Sequence, residues 1–266
     1  MKQNILWRVL TSLLGISCFS LTSCDPGSII TDPYIVNQDR QRENTYYVPA
    51  APHTPLITEK NDFNFNILRS SGNKFNGAEV QLAYMPWNHV AIGGSFSGGG
   101  NRGGTPKTMT YNRFELSSGY IKKISNGWHF ESYAGLGTGN IKNYHYTGQS
   151  TIKLNHFFLQ PAMAISNLGQ TMQFAFSSRF AGVNFNVTDT LFNTDREPFS
   201  ASQLNSLYDQ PFHIMWEPSL IFRGGWKNLL FTLQYNHSSD FTNPDLYRSA
   251  DNFSFGISLR TNVKPK

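Results

Sequence analysis

The chain is short of charge, of cysteine and of long apolar runs, and each shortage closes off a class of protein. Charged residues make up 15% of the sequence, against about 25% in an ordinary soluble domain. Mean hydropathy is nevertheless −0.37, so the missing charge has not been replaced by uniform greasiness. Past residue 30 no apolar run approaches the ~20 residues of a membrane helix. If the chain spans a membrane, it does so with strands. No Lys/Arg block interleaves with aromatics, which argues against nucleic acid as a partner. The seven histidines and two cysteines fall into no HxH, HExxH or CxxC spacing, so neither a metal centre nor a cofactor is expected.

The N-terminus reads as a leader. Lys2 and Arg8 precede an apolar stretch from Val9 to Phe19, and "LTSC", Leu21 to Cys24, follows. This looks like the lipobox of bacterial lipoprotein signal peptides, which implies a signal peptide over 1–23 and a lipidated N-terminal Cys24. Removal of the leader leaves one cysteine, so no internal disulfide can form. It also leaves 20 basic residues against 17 acidic ones, a net charge of +3. Residues 24–61 are polar, carry five prolines and show no period. They read as a lipidated periplasmic tether, a linker free to pack along a neighbouring surface. No acidic run follows Cys24, which favours a periplasm-facing anchor.

What the sequence has in abundance is aromatics, at 14%, and glycine, at 22 residues. From residue 62 to 266 they are arranged with period two. Candidate strands are 63–70, 78–86, 89–97, 111–123, 128–139, 154–165, 171–185, 213–223, 228–238 and 252–261. One parity of each is bulky and apolar, as in Phe253/Phe255/Ile257/Leu259. The other is Gly, Ser, Gln, Asn, Glu and Arg. Tight turns at 86–88, 125–127, 167–169 and 224–227 alternate with longer polar joins at 71–77, 98–110, 140–153, 186–212 and 239–251. Short periplasmic turns alternating with long extracellular loops are the pattern of a transmembrane, antiparallel, up-and-down β-barrel. Ten strands place both ends of the barrel on the short-turn side. A soluble β-sandwich would alternate too, but its water-facing rows would be rich in Lys, Thr and Glu rather than Gly, Ser and Gln.

Two hairpins can be registered. A three-residue turn with Gly127 left-handed pairs Ile124 with Trp128, Gly119 with Tyr133 and Glu115 with Gly137. Around 224–227 the expected pairs are Trp216 with Tyr235 and Leu220 with Phe231. Trp87, Trp128 and Trp226 then lie at turn ends, where an interfacial aromatic belt belongs. The stretch "YVPAAPHTPLITEKNDFNFN" before the first strand, then "VQLAYMP" and "FSFGISLRTN", resemble the small outer-membrane β-barrel lipoproteins of Bacteroidota. The resemblance covers most of the mature chain and implies a location in a Gram-negative outer membrane more than an activity. The final "VKPK" departs from the pattern of barrels that end on an aromatic.

Eight charges fall on the inward parity: Glu79, Arg113, Glu115, Glu131, Arg179, Glu217, Arg223 and Arg260. A barrel of this size has little room beyond its side chains, and a buried unpaired charge is costly. The expectation is therefore an ion-pair plug, with Glu131 near Arg223 and Arg260 in the lower lumen; a charged pore constriction is the alternative. Catalysis would have to use the extracellular rim. There the register places His213 inward beside Ser238 and His237 outward beside Ile214, with His156 inward opposite Arg179, so no catalytic set is expected. The Gly-rich stretch 93–104 lacks the Gly-Lys-Ser/Thr ending of a phosphate loop and reads as a flexible extracellular loop. The long loop 186–212 contains "SASQLNSLY", a helical turn that would cap the barrel. The functional expectation is a non-enzymatic structural or interaction subunit, accessory to a larger outer-membrane complex, with outer-membrane lipid and other outer-membrane proteins as partners. An outer-leaflet lipid or peptide hydrolase and a narrow channel are the alternatives.

Overall fold

The structure, a computed structural model, describes residues 44–73, 75–101, 109–145, 147–167, 171–226, 228–246 and 248–262. The leader 1–23, Cys24 and the tether as far as 43 lie outside the described residues. Ten antiparallel strands run in chain order: β1 Asp62–Gly72, β2 Phe75–Trp87, β3 Val90–Asn101, β4 Met109–Ser125, β5 Trp128–Tyr144, β6 Gln149–Ser166, β7 Met172–Leu191, β8 Phe212–Gly225, β9 Leu229–His237 and β10 Asp251–Asn262. Ser239–Asp240 extends the pairing of β9 to β8 by two residues. Each strand pairs with its sequence neighbour, and β1 closes the barrel on β10 from Asp62↔Asn262 to Gly72↔Asn252. The helix α1, Pro198–Asp209, interrupts the β7–β8 connection. No helix among the described residues is long and apolar enough to cross a membrane.

Alternation decides the two faces. The bulky parity points outward: Leu82, Phe96, Leu116, Leu136, Phe176, Phe231 and Phe255 are all exposed. In water such a band would be an aggregation surface; against acyl chains it is the matching solvent. Trp87, Trp128 and Trp226 are exposed at the short-turn end, where their amphipathic rings suit the interface.

Each expected strand is present and most are longer. β7, with 20 residues, stands roughly 50 Å tall at a ~40° tilt, twice the ~25 Å apolar band of such barrels. The surplus projects at the long-loop end. There the inward parity turns apolar, so Met109, Ile141, Ile152, Leu154, Val183 and Phe185 form a hydrophobic core with Leu204 and Leu207 of α1. The expected capping helix is thus a full 12-residue element.

Several local expectations are corrected. Most of the Gly-rich stretch is strand β3 rather than loop, with residues 92–100 paired to both neighbours. The expected join 71–77 shrinks to residues 73–74. Gly119↔Tyr133 and Glu115↔Gly137 pair as expected, but Trp128 pairs with Ser125, because the ladder slips between Lys123 and Ser125 and Ile124 bulges. Gly127 is left-handed, with φ of 86°. Between β8 and β9, Leu220 faces Tyr235 and Gly224 faces Phe231, and Trp216 pairs with Ser239. The hairpin closes where the amide of Trp226 donates to the Leu229 carbonyl and the amide of Leu229 to the Trp226 carbonyl. The turn therefore sits two residues later than expected, which shifts the register by four. An even shift keeps every side chain on its face, so the inside and outside assignments survive.

The larger correction concerns residues 44–61. They do not pack along an outer surface as a tether would. They run through the lumen, and Tyr46, Tyr47, Val48, Ala50, Ala51, Leu56 and Ile57 are all buried. A polar, proline-bearing segment has few ways to satisfy its own backbone, and inward-facing side chains of the barrel supply the missing partners.

Candidate functional site

The lumenal segment meets the barrel wall in strict order. At the short-turn end the Thr58 and Glu59 amides donate to the Asp62 carboxylate, and Leu56 packs with Ala164, Ala175 and Ile221. Higher up, His53 stacks on Tyr133 at 6.1 Å and Gln160 donates to the His53 carbonyl. A Cβ on Gly119 would lie 2.3 Å from the Tyr133 ring, so the ring seats over a residue that has to be glycine. The Ala51 amide donates to Glu79, Gln81 to the Ala51 carbonyl and Asn236 to the Ala50 carbonyl. Arg113 donates to the Val48 carbonyl at 2.8 Å and the Tyr47 hydroxyl to Glu217 at 2.9 Å. At the long-loop end the Thr45 amide and carbonyl are held by Asn143, and Asn44 reaches His145.

The inward charges divide into two groups. Glu115 is the hub of the upper one. It takes a bidentate contact from Arg179 at 2.7 and 3.0 Å, Arg113 lies 3.4 Å away and His156 Nε2 lies 2.8 Å away. Arg179 also approaches Glu217 at 3.3 Å and stacks on Phe158 at 3.9 Å. Glu79 meets the Ala51 amide and Gln81 rather than a base. In the lower lumen Arg260 pairs with Asp62 at 2.6 Å. Glu131 and Arg223 are both fully buried, and neither closes an ion pair within 4.0 Å among the described residues. An enclosed cavity lined by His53, Glu115, Tyr133, Gln160 and Arg179 measures about 10 Å³, room for roughly one water. His156 pairs with Val183 rather than facing Arg179, because the β6–β7 ladder places Ser166 opposite Gln173. The two still meet, through Glu115.

The rim histidines resolve into three settings. His213 is inward as expected, but both ring nitrogens are engaged, Nδ1 with Asp240 at 2.6 Å and Nε2 with the Gln210 carbonyl at 2.9 Å. It has no nitrogen left for a nucleophile. His237 is outward, with Nδ1 2.9 Å from Asp251, which also accepts from Tyr235. The third setting escaped the sequence reading. His145 Nε2 lies 2.8 Å from Ser150 Oγ, and its Nδ1 lies 3.2 Å from Glu197 Oε2. Phe192 stacks on the ring at 4.0 Å, and Thr147 donates to Glu197 from both amide and hydroxyl. Burial pushes the His145 imidazole below its ordinary range, partly offset by the Glu197 charge. The three residues come from two loops and a strand start, up to 52 positions apart, so no local motif could have joined them. Among the described residues no cluster of three or more ligand-type side chains could hold a metal.

The sequence matches no family model and no curated protein. Solved structures are similar in fold. The translocator domain of the autotransporter NalP from Neisseria meningitidis has a TM-score of 0.43 at 7% identity, over 76% of this chain and 87% of that one. Neisserial surface protein A has a TM-score of 0.36 at 7% identity, over 76% and 95%. The N-terminal β-barrel domain of Pseudomonas aeruginosa OprF has a TM-score of 0.34 at 11% identity, over 76% and 98%. The fold rests on the chain's own geometry, a closed, ten-stranded antiparallel barrel with an apolar outer band. At these TM-scores and identities the likeness adds nothing about what the chain does.

Proposed function

We propose that this chain is a plugged barrel of a Gram-negative outer membrane, anchored by lipid at Cys24 and acting as a structural or interaction subunit rather than as a pore. The observation that carries the reading is the filled lumen, in which residues 44–61 and the Glu115 cluster occupy the space a channel would need. A subunit of this kind would offer partners its long-loop end, where α1 and the longer connections lie. Planar-bilayer recording is the test. The purified protein gives no conductance steps, and reproducible steps would overturn the plug. Purification from mild detergent then recovers a stable assembly, and a strictly solitary protein would overturn the subunit role.

A second reading, an outer-leaflet hydrolase, is favoured by Ser150, His145 and Glu197, which stand in the order of a nucleophile, base and acid relay. The relay requires the Asn44 amide group, 3.1 Å from the same His145 Nδ1, to turn away so that this nitrogen can carry a proton to Glu197. Ser150 is fully buried, so substrate would reach it only if the cap shifts. Labelling by a fluorophosphonate probe that disappears in Ser150→Ala would support this reading. Absence of both labelling and ester turnover would remove it.

A further inference from the structure

The lumenal segment has a direction, and the direction decides which side of the membrane the N-terminus faces. Asp62 begins β1 at the short-turn end, paired to Asn262. From there the chain runs backward past Leu56 in the lower lumen, His53 beside Tyr133, and Tyr47 beside Glu217. It arrives at Asn44, which contacts His145 in the β5–β6 loop, and Tyr46 is buried in the same core as Leu204 and Leu207 of α1. From 44 to 56 an extended chain covers up to ~40 Å, more than the ~25 Å apolar band of a barrel. This segment therefore crosses the membrane inside the barrel, in the sense opposite to β1.

We infer that the chain preceding Asn44 emerges on the long-loop, cell-exterior face, and that an acyl group on Cys24 inserts into the outer leaflet. The inference rests on the barrel orientation and lipidation proposed above, and it reverses the periplasmic tether expected from the sequence. Two routes back to the periplasmic side are closed. The barrel exterior is an apolar band on which a polar chain would leave its amides unsatisfied. A second pass through the lumen would have to displace packed side chains, since Glu115, Glu131, Tyr133, Arg179 and Arg223 are all buried around the segment. The 20 residues from Cys24 to Asn44 reach up to ~70 Å when extended, ample to bring an acyl chain from the rim down to the adjacent leaflet. Barrel and lipid then grip the membrane from the same side, and the partner that the N-terminus meets is outer-leaflet lipid rather than a periplasmic surface.

Cysteine accessibility on intact cells tests this in the full-length protein. Asn37→Cys reports the segment, Ser202→Cys on the exposed side of α1 reports the long-loop face, and Asn126→Cys in the β4–β5 turn reports the short-turn face. A membrane-impermeant maleimide labels Asn37→Cys and Ser202→Cys on intact cells to the same extent, and labels Asn126→Cys only after the outer membrane is permeabilised. Asn37→Cys labelling together with Asn126→Cys would overturn the direction of threading. Incorporation of an alkyne-tagged fatty acid into the wild type is the separate check on the anchor. Its absence would overturn the lipid placement while leaving the surface exposure of residue 37 to stand or fall by the maleimide result.

Discussion

The upper and lower halves of the lumen carry the same kinds of residue and treat them differently. In the upper half Glu115 and Glu217 meet Arg113, Arg179 and the Tyr47 hydroxyl at hydrogen-bonding or ion-pair distance. In the lower half Glu131 and Arg223 are as deeply buried, yet they stay beyond ion-pair distance of one another. The difference follows what the lumenal segment presents at each level. Above, it offers Tyr47 and the Val48 carbonyl, both polar and both bonded to the cluster. Below, the Leu56 backbone and the Tyr133 hydroxyl approach Glu131 and the Leu56 side chain packs against Ala164, Ala175 and Ile221, but among the described residues no acceptor closes on the Arg223 guanidinium. A buried ion pair stabilises only when its geometry is good and its remaining donors and acceptors are satisfied. Burial and opposite sign are therefore not sufficient; a third partner has to complete the network.

The sharpest way to break the contrast is Glu115→Gln. It removes the charge that Arg179, Arg113 and His156 share, and the expected loss is about 3–5 kcal/mol, read as a lowered urea midpoint of the detergent-solubilised barrel. Tyr47→Phe removes a single hydroxyl from Glu217 and is expected to cost about 1.5–3 kcal/mol in the same assay. A comparable loss from both variants would mean that the lumenal segment, not Glu115, is the centre of the network. In the lower half the double change Glu131→Gln with Arg223→Met is expected to be neutral or mildly stabilising, since it removes two buried charges that attract each other without closing into an ion pair. A loss as large as that of Glu115→Gln would show that the two halves are alike.

The smallest effect expected is one of pH, at the cap. Burial holds the folded His145 below its ordinary pKa of about 6.5, so the folded cap resists a proton that the unfolded chain accepts. Stability from this site is present above the unfolded value and is lost as pH falls from there through the lowered folded value. Amide protection factors, corrected for the intrinsic pH dependence of exchange, should fall in residues 147–150 and 194–200 as pH drops below about 6.5, while those around Glu115 do not change in step. Equal loss of protection in both places would place the sensitivity elsewhere.

Much of the barrel was legible because alternation is a local property. Phe253, Phe255, Ile257 and Leu259 announce an outward row without knowledge of any neighbour, and all four are exposed. Turn position is less local. Near Trp226 a two-residue error in the turn became a four-residue error in register, and only its evenness kept Trp216 and Tyr235 on the outer face. Inward apolar residues such as Ile141 and Ile152 fit no simple rule, because their strands outrun the membrane and enclose an ordinary core beneath α1. Ser150, His145 and Glu197 could not be joined in advance, because the loops that bring them together carry no period.

From the sequence alone came the parity of each strand, the order of short and long connections, and hence a ten-stranded barrel with eight charges turned inward. These follow from which side chains can face acyl chains and how many residues cross the band. The tertiary structure decided what the charges meet. Residues 44–61 have no period and no apolar stripe, so nothing local marks them as interior. They belong there because the inward amides, carboxylates and guanidinium groups of the closed barrel bond to their backbone, and that complementarity exists only once the barrel has formed around them.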